Sequence, residues 1–281
     1  MSRSEPRLRV ACAAFGVAAL IACSGGNDAP LSQSSAGEPD AGLPTAEALQ
    51  RIAKRRVYFG HQSVGENVLD GLAAILQDHQ NAGLRIVKTR EPAAVAGPAI
   101  MHFDAGRNEY PATKNADFIK VLDARTTRDS GVALLKYCYA DVTLDTDIDV
   151  LFQDYKRTMG EVKQRHPDLT IVHVTMPLTV DATGPKAAIN HLLGRPTIRD
   201  LNLKRSRFNS LLRREYGQEP IFDLAMLEAT RDDGSQEQAK LRGEVVYSLA
   251  PAYSSDGRHL NAGGQRRMAD RLVQVLARAA R

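Results

Sequence analysis

The sequence predicts a single α/β domain in which helices cover both faces of a parallel sheet. Short apolar runs rich in Val, Ile and Leu alternate with longer segments whose apolar residues recur every three or four positions. Strands that alternate with helices in this way are typical of a parallel sheet between helical layers. The alternation fills residues 46–281, which is enough chain to bury one such core.

Each element has its own signal. The first strand, 57–59, precedes a helix that places on one face Val64, Val68, Leu69, Leu72, Ile75 and Leu76. Further strands are predicted from short β-type runs at 84–87, 132–137, 169–174 and 220–222. Helices are predicted at 46–55, 116–124, 148–165, 199–216 and 263–280. Two long irregular stretches, 89–114 and 176–197, follow strands, and ligands of such sheets bind beyond the carboxyl ends of the strands.

Composition and charge exclude several classes of protein. With 43% hydrophobic and 25% charged residues, the chain is not collagen-like, disulfide-rich or wholly disordered. Its net charge is only +4, and Lys and Arg are interspersed with Asp and Glu. Because proteins that read nucleic acid concentrate basic residues in a patch or stripe, nucleic acid is not an expected partner.

The N-terminus has the parts of an export signal. Arg3, Arg7 and Arg9 precede an apolar run from Val10 to Ala22, which is too short to span a bilayer permanently. Since Cys23 follows the small residue at the end of the run, residues 1–22 resemble a bacterial lipoprotein leader. The resemblance implies cleavage before Cys23 and lipidation of its thiol. An ordinary secreted protein with a chance cysteine is the alternative.

Residues 23–45 are predicted to be a disordered tether, because they are rich in Ser, Gly, Pro, Ala and Asp. Lipid and tether would hold the domain 46–281 near a membrane but in water. Ser24, in place of Asp, resembles lipoproteins sent to the outer membrane, so the periplasmic face of that membrane is expected in a cell with two membranes. A lipidated Cys23 leaves Cys138 without a disulfide partner.

A serine opens the helix that follows the first strand. On a strand-to-helix turn, the hydroxyl of Ser63 is exposed beside backbone N–H groups and the positive end of the helix dipole. These groups can stabilise a developing oxyanion. The alternative is structural, because Ser63 and Glu66 also match the S-x-x-E capping box.

Asp256 and His259 lie just before the last helix. An Asp three residues before a His can orient the imidazole and stabilise its charged form, which makes it a base for a serine hydroxyl. The alternative is that Asp256 forms a turn with Gly257, Asn261 caps the last helix, and His259 is incidental.

With these motifs in this order, the sequence resembles the SGNH/GDSL hydrolase superfamily over residues 56–281. The resemblance implies a three-layer α/β/α, flavodoxin-like fold in which Ser63 is the nucleophile, His259 the general base and Asp256 its orienting acid. The family's Gly-Asp-Ser is replaced by residues 61–63, His-Gln-Ser. Its Gly-x-Asn-Asp block falls on residues 138–141, where Asp141 alone is retained and the usual oxyanion Asn is absent.

Other residues must then complete the oxyanion hole or contact the substrate. Gly106 is expected to offer an exposed backbone N–H and Asn108 a side-chain amide, although Asn108 also suits a turn. His61 and Gln62, which adjoin Ser63, and Asp141 are expected to contact the substrate or to support the site.

Two patterns resemble metal sites and fail as such. Asp145, Asp147 and Asp149 begin like a calcium loop, but the glycine and the glutamate that such a loop needs are missing, so a helix start is predicted. His102 and Asp104 alternate as two ligands do, yet no third ligand is spaced to join them. Neither a metal nor an organic cofactor is therefore expected.

These observations predict a lipid-anchored, extracytoplasmic serine esterase. Its location suggests O-acyl groups of envelope or polysaccharide glycans as substrates. An O-acyltransferase with the same chemistry is one alternative. A non-catalytic, glycan-binding lipoprotein on the same fold is another, and the degraded third block favours it.

Overall fold

The computed structural model describes residues 42–126, 129–182, 184, 189, 193 and 195–280. Six strands form the central sheet: β1 (Arg56–His61), β2 (Ile86–Lys88), β3 (Ala99–Asp104), β4 (Gly131–Leu135), β5 (Leu169–Val174) and β6 (Ile221–Phe222). All neighbouring pairs are parallel, and the order across the sheet is β2-β3-β1-β4-β5-β6. Without the edge strand β2, this is the 2-1-3-4-5 order of flavodoxin-like folds.

Helices cover both faces of the sheet. Their bounds are α1 (Thr45–Ile52), α2 (Val64–Asp78), α3 (Pro111–Asp123), α4 (Ile148–Arg165), α5 (Ile198–Tyr216), α6 (Leu224–Ala229) and α7 (Ala262–Ala279). Apolar residues of α1, α2, α6 and α7 form one core with the sheet, and those of α3, α4 and α5 form the other. The predicted three-layer α/β/α architecture is therefore confirmed.

Strand β1 determines where a ligand would bind. Its side chains alternate between the two cores, with Val57 and Phe59 in one and Tyr58 in the other. From β1 the chain runs outward to β2 and β3 and then returns across β1 to β4. The carboxyl end of β1 is thus the point where the direction of winding reverses, which is where ligands of such sheets bind.

Sequence reasoning missed four elements. Strand β3 lies inside the stretch 89–114 that was predicted to be irregular, and its polar His102 and Asp104 break the apolar run. The short helix α6 and a hairpin of β7 (Gln238–Leu241) with β8 (Glu244–Tyr247) were also missed. Asp147 caps α4, as the predicted helix start requires.

Much of the predicted N-terminal region lies outside the described residues, including the leader, Cys23 and the tether up to residue 41. The carbonyl of Leu43 accepts a hydrogen bond from Gln274 at 3.1 Å, so the chain already contacts α7 there. Within the described residues, no helix is both long enough and apolar enough to cross a membrane.

Helices α2 and α7 pack unusually closely at Gly71. A Cβ atom at this position would lie 2.2 Å from the backbone carbonyl oxygen of Gln265, and backbone cannot rotate away as a side chain can. Glycine is thus required for the distance between these two helices.

We expect Gly71→Ala to destabilise the domain by about 1–3 kcal/mol, because the added methyl forces α2 and α7 apart. Gly160→Ala in α4 is the matched control, since its new Cβ meets no atom within 4 Å. In that variant the free energy of unfolding should rise by about 0.5–1 kcal/mol, because alanine has a higher helix propensity than glycine. Urea unfolding of both variants measures the difference, and equal stabilities would contradict the close packing.

Candidate active site

Ser63 stands in a strained turn between β1 and α2. Its backbone has φ of +48° and ψ of −99°, a region that non-glycine residues rarely adopt. The side chain makes no capping hydrogen bond to the helix. Instead, Oγ lies 2.5 Å from Nε2 of His259. The geometry therefore differs from that of the capping box and resembles the turn that presents a nucleophile above a sheet.

Asp256 completes a chain of hydrogen bonds behind His259. Its Oδ2 lies 2.7 Å from Nδ1 of the imidazole, and Oδ1 accepts the backbone N–H groups of Arg258 and His259 at 2.9 and 2.7 Å. The bond to the His259 ring, followed by those to the backbone, holds the pKa of Asp256 well below its ordinary value. A carboxylate at Nδ1 keeps a proton there, so Nε2 is the atom that accepts from the Ser63 hydroxyl.

Two hydrogen bonds fix the loop that carries His259, one to α2 and one at the start of α7. Oδ1 of Asn67, one turn after Ser63, accepts the N–H of Leu260 at 3.3 Å. Asn261 caps α7 by accepting the N–H of Gly264 at 2.9 Å. The sequence predicts that Asn261 caps this helix. It does not predict the role of Asn67, because the partner of Asn67 lies at the other end of the chain.

Tyr139 is a second residue of the site that sequence reasoning missed. Its side chain lies near that of Ser63, and its ring meets the His259 ring edge-on with the centroids 6.0 Å apart. Burial is the main cause that raises the pKa of Tyr139, so its hydroxyl is protonated at neutral pH and can donate. The only signal in the sequence is its place between Cys138 and Ala140, in the block where the superfamily that the sequence resembles has an Asn.

Two residues of the expected oxyanion or substrate set have other partners. Gly106 does not offer a free N–H, because it donates to Oδ2 of Asp117 at 2.8 Å. Asp141 is buried and accepts from Nζ of Lys114 at 2.6 Å and from the N–H groups of Cys138 and Glu109 at 2.7 and 3.0 Å. With three donors bound and its carboxylate buried, Asp141 fixes the loops around the site.

Asn108 has a side-chain amide that one hydrogen bond holds in place. Its Oδ1 accepts from Lys114 at 2.9 Å, and this bond orients the amide. The amide nitrogen makes no hydrogen bond within the described residues, and the side chain is exposed. Asn108 can thus donate to a ligand.

His61 and Gln62 face the interior. The amide of Gln62 donates to the carbonyl oxygens of Ala105 and Gly106 at 3.1 and 2.7 Å. His61 is fully buried, and its Nε2 lies 3.0 Å from Nδ1 of His102. Burial first, and then the nearby Lys136, lowers the pKa of His61 to about 2, so its ring is neutral. His61, which is fully buried, and Gln62, which is half-buried, thus tie the Ser63 turn to β3 and to the loop after it.

A cleft of about 700 Å³ opens beside Asp256. Its lining combines apolar side chains, among them Val142, Val180 and Leu201, with charged side chains of both signs. Asp256 is the member of the Ser63, His259 and Asp256 chain that lines this cleft.

No family model matches the chain, and no curated protein matches it in sequence. Solved structures match with low identity. The acetyl xylan esterase AlAXEase is 15% identical with a TM-score of 0.47, over 77% of this chain and 97% of that one. A candidate SGNH hydrolase from Slackia heliotrinireducens is 14% identical with a TM-score of 0.43, over 79% and 97%. The periplasmic domain of a lipopolysaccharide acetyltransferase from Salmonella ser. Paratyphi A is 12% identical with a TM-score of 0.43, over 81% and 86%.

The strain at Ser63 gives a test of the turn. We expect Ser63→Gly to be more stable than Ser63→Ala by on the order of 1 kcal/mol, because glycine adopts a positive φ without steric cost. Both variants lose the hydroxyl, so the comparison isolates the backbone. Thermal unfolding of the two proteins measures the difference, and an alanine variant as stable as the glycine variant would refute the strained turn.

Proposed function

We propose that the protein is a serine esterase of the SGNH type that cleaves carboxylic esters through an acyl-enzyme. The observation that carries the proposal is the continuous chain of hydrogen bonds from Ser63 Oγ to His259 at 2.5 Å and from His259 to Asp256 at 2.7 Å. A serine hydroxyl alone is a weak nucleophile at neutral pH and needs a base of this kind.

In the first step, Ser63 Oγ attacks the ester carbonyl carbon and its proton passes to Nε2 of His259. Asp256 stabilises the imidazolium that forms. When the tetrahedral intermediate collapses, the carbon–oxygen bond to the alcohol breaks, and the leaving oxygen takes the proton from His259. The product of this step is an ester between the acyl group and Ser63.

In the second step, water attacks the acyl carbon and gives a proton to His259. The bond to Ser63 Oγ breaks, Ser63 takes back the proton, and the carboxylic acid leaves. Transfer of the acyl group to a sugar hydroxyl would follow the same route with a different acceptor. Hydrolysis and transfer thus share every residue named here.

Donors for the oxyanion come from three places. Gly65 donates its N–H to the carbonyl of Gln62 at 3.0 Å, which leaves the N–H groups of Val64 and Glu66 in the first turn of α2, next to Ser63. The amide of Asn108 and the hydroxyl of Tyr139 supplement them. Since Ala140 stands where the superfamily has its oxyanion Asn, the hydroxyl of the neighbouring Tyr139 is the donor of this block that would take its place.

We further propose that the enzyme is a lipoprotein of the cell envelope and acts on O-acyl groups of envelope or polysaccharide glycans. This proposal is supported by the leader sequence, which is followed directly by Cys23. It does not depend on the shape or lining of the cleft.

A fluorophosphonate probe tests for the activated serine. Wild-type protein should be labelled, whereas Ser63→Ala and His259→Ala should lose labelling, and both should lower the rate of p-nitrophenyl acetate hydrolysis by at least about 10³-fold. Ser210→Ala is the matched control, because Ser210 is an exposed serine on α5. It should label like the wild type.

If the folded wild-type protein is not labelled, the esterase proposal fails and a non-catalytic glycan-binding protein takes its place. Labelling that persists in Ser63→Ala would also contradict it, because the reactive serine would then lie elsewhere.

The lipid anchor is tested by Cys23→Ala in the full-length chain. We expect the wild-type protein in the membrane fraction and the variant in the soluble fraction, because the variant lacks the thiol to which the lipid is attached. Cys138→Ala is the control, since Cys138 is a buried free cysteine. An unchanged membrane fraction for Cys23→Ala would refute the lipoprotein proposal.

A further inference from the structure

Three side chains with metal-binding atoms converge beneath the Ser63 turn. His61 ends β1, His102 lies on the adjacent β3, and Glu66 lies in the first turn of α2. We propose that His61, Glu66 and His102 form a binding site for a divalent transition-metal ion of the zinc class. The proposal does not rest on the esterase function.

The distances suit one ion. Nε2 of His61 lies 3.0 Å from Nδ1 of His102, and Oε2 of Glu66 lies 3.9 and 3.8 Å from these two nitrogens. Tetrahedral coordination with bonds of about 2.0–2.1 Å places ligand atoms about 3.3 Å apart. Shifts of about half an ångström would bring all three atoms onto a common ion, and two histidines with one carboxylate form a known zinc ligand set.

The chemistry of the ligands also fits. Both imidazoles are buried, and burial favours the neutral form. An ion would replace the hydrogen bond between Nε2 of His61 and Nδ1 of His102, and the proton of that bond would move to the other nitrogen of its ring, so that both facing nitrogens offer a lone pair. Oε2 of Glu66 is shielded from solvent and makes no hydrogen bond within the described residues. At 3.8 Å or more it is too far away to hydrogen-bond with either imidazole, although it faces both. A metal ion between them would satisfy this oxygen.

Lys88 is the competing cation. Its Nζ lies 3.5 Å from Oε2 of Glu66 and 3.1 Å from Oδ2 of Asp104, and its side chain is half exposed. On binding of the ion, Lys88 keeps Asp104 as its partner and releases Glu66. Asp104, which the sequence pairs with His102 as a possible ligand, thus belongs to Lys88 instead.

The ion would hold the nucleophile turn in place. His61 is two residues before Ser63, and Glu66 is three residues after it, so both sides of the strained turn would be tied to β3 through His102. Gly65 allows this arrangement, because a Cβ there would lie 2.4 Å from Cβ of His61. His61, Glu66 and His102 are positioning residues, since they act through the turn and not on the substrate.

Titration of the metal-stripped full chain with Zn²⁺, and with Co²⁺ as a spectroscopic substitute, tests the proposal. We expect one ion to bind per chain. The visible absorption spectrum of bound Co²⁺ should be that of an ion with a low coordination number. Glu66→Gln and His102→Gln should weaken binding at least about tenfold. His79→Gln is the matched control and should bind as the wild type does.

Glu66→Gln changes a partly exposed side chain, so its result stands even if a buried histidine variant fails to fold. Ser63→Ala should bind Zn²⁺ like the wild type, which separates this test from that of the esterase. Failure of the wild type to bind, or equal binding by Glu66→Gln, would overturn the proposal and leave the cluster as a hydrogen-bonded support with Lys88 as its cation.

Discussion

The hydrogen bond between Ser63 and His259 is the contact on which the rest of the site depends. It joins residues 196 positions apart in the chain, one at the start of α2 and the other just before α7. These two helices pack side by side on one face of the sheet, and Gly71 allows their close approach. The bond between Asn67 and Leu260 fixes the same pair of segments one turn further along. The helix pair thus sets the distance between Ser63 and His259.

Several buried polar groups hold Ser63 in a conformation that costs free energy. Gln62 bonds to the carbonyl groups of the loop after β3, and His61 bonds to His102 on that strand. Asp141 ties the loop after β4 to Lys114 on α3. Strained residues persist only where surrounding structure determines their conformation, and such residues are concentrated at functional sites. The presence of several hydrogen-bonded polar groups around one strained serine therefore supports a functional role for that serine.

The sequence predicts those features that depend on local pattern. The apolar face of α2, the run Leu169–Val174 and the cap at Asn261 are each encoded within a few residues, and the structure has them where the pattern places them. Strand β3 was missed because a strand that ends in polar residues at a functional edge lacks a continuous apolar run. The order of Ser63 and Asp256-x-x-His259 along the chain sufficed to select the residues that the fold brings together.

Features that depend on long-range partners were not predictable. Gly106 has the positive φ expected of an exposed loop glycine, but its N–H is taken by Asp117 on α3, and no local pattern indicates that. The partners of Asp141 are also distant in sequence, since they include Glu109 in the loop after β3 and Lys114 on α3. Glu66 matches a capping box in the sequence, and only the fold reveals that it faces two histidines from adjacent strands.

The most direct test of the account is to locate the acyl group during turnover. Wild-type protein mixed with p-nitrophenyl acetate, quenched in acid and digested, should carry one acetyl group on the peptide that contains Ser63, as found by mass spectrometry. Under the same conditions His259→Ala should carry none. Turnover of the ester with an acetyl group on any other residue, or with none on Ser63 at any quench time, would contradict the account.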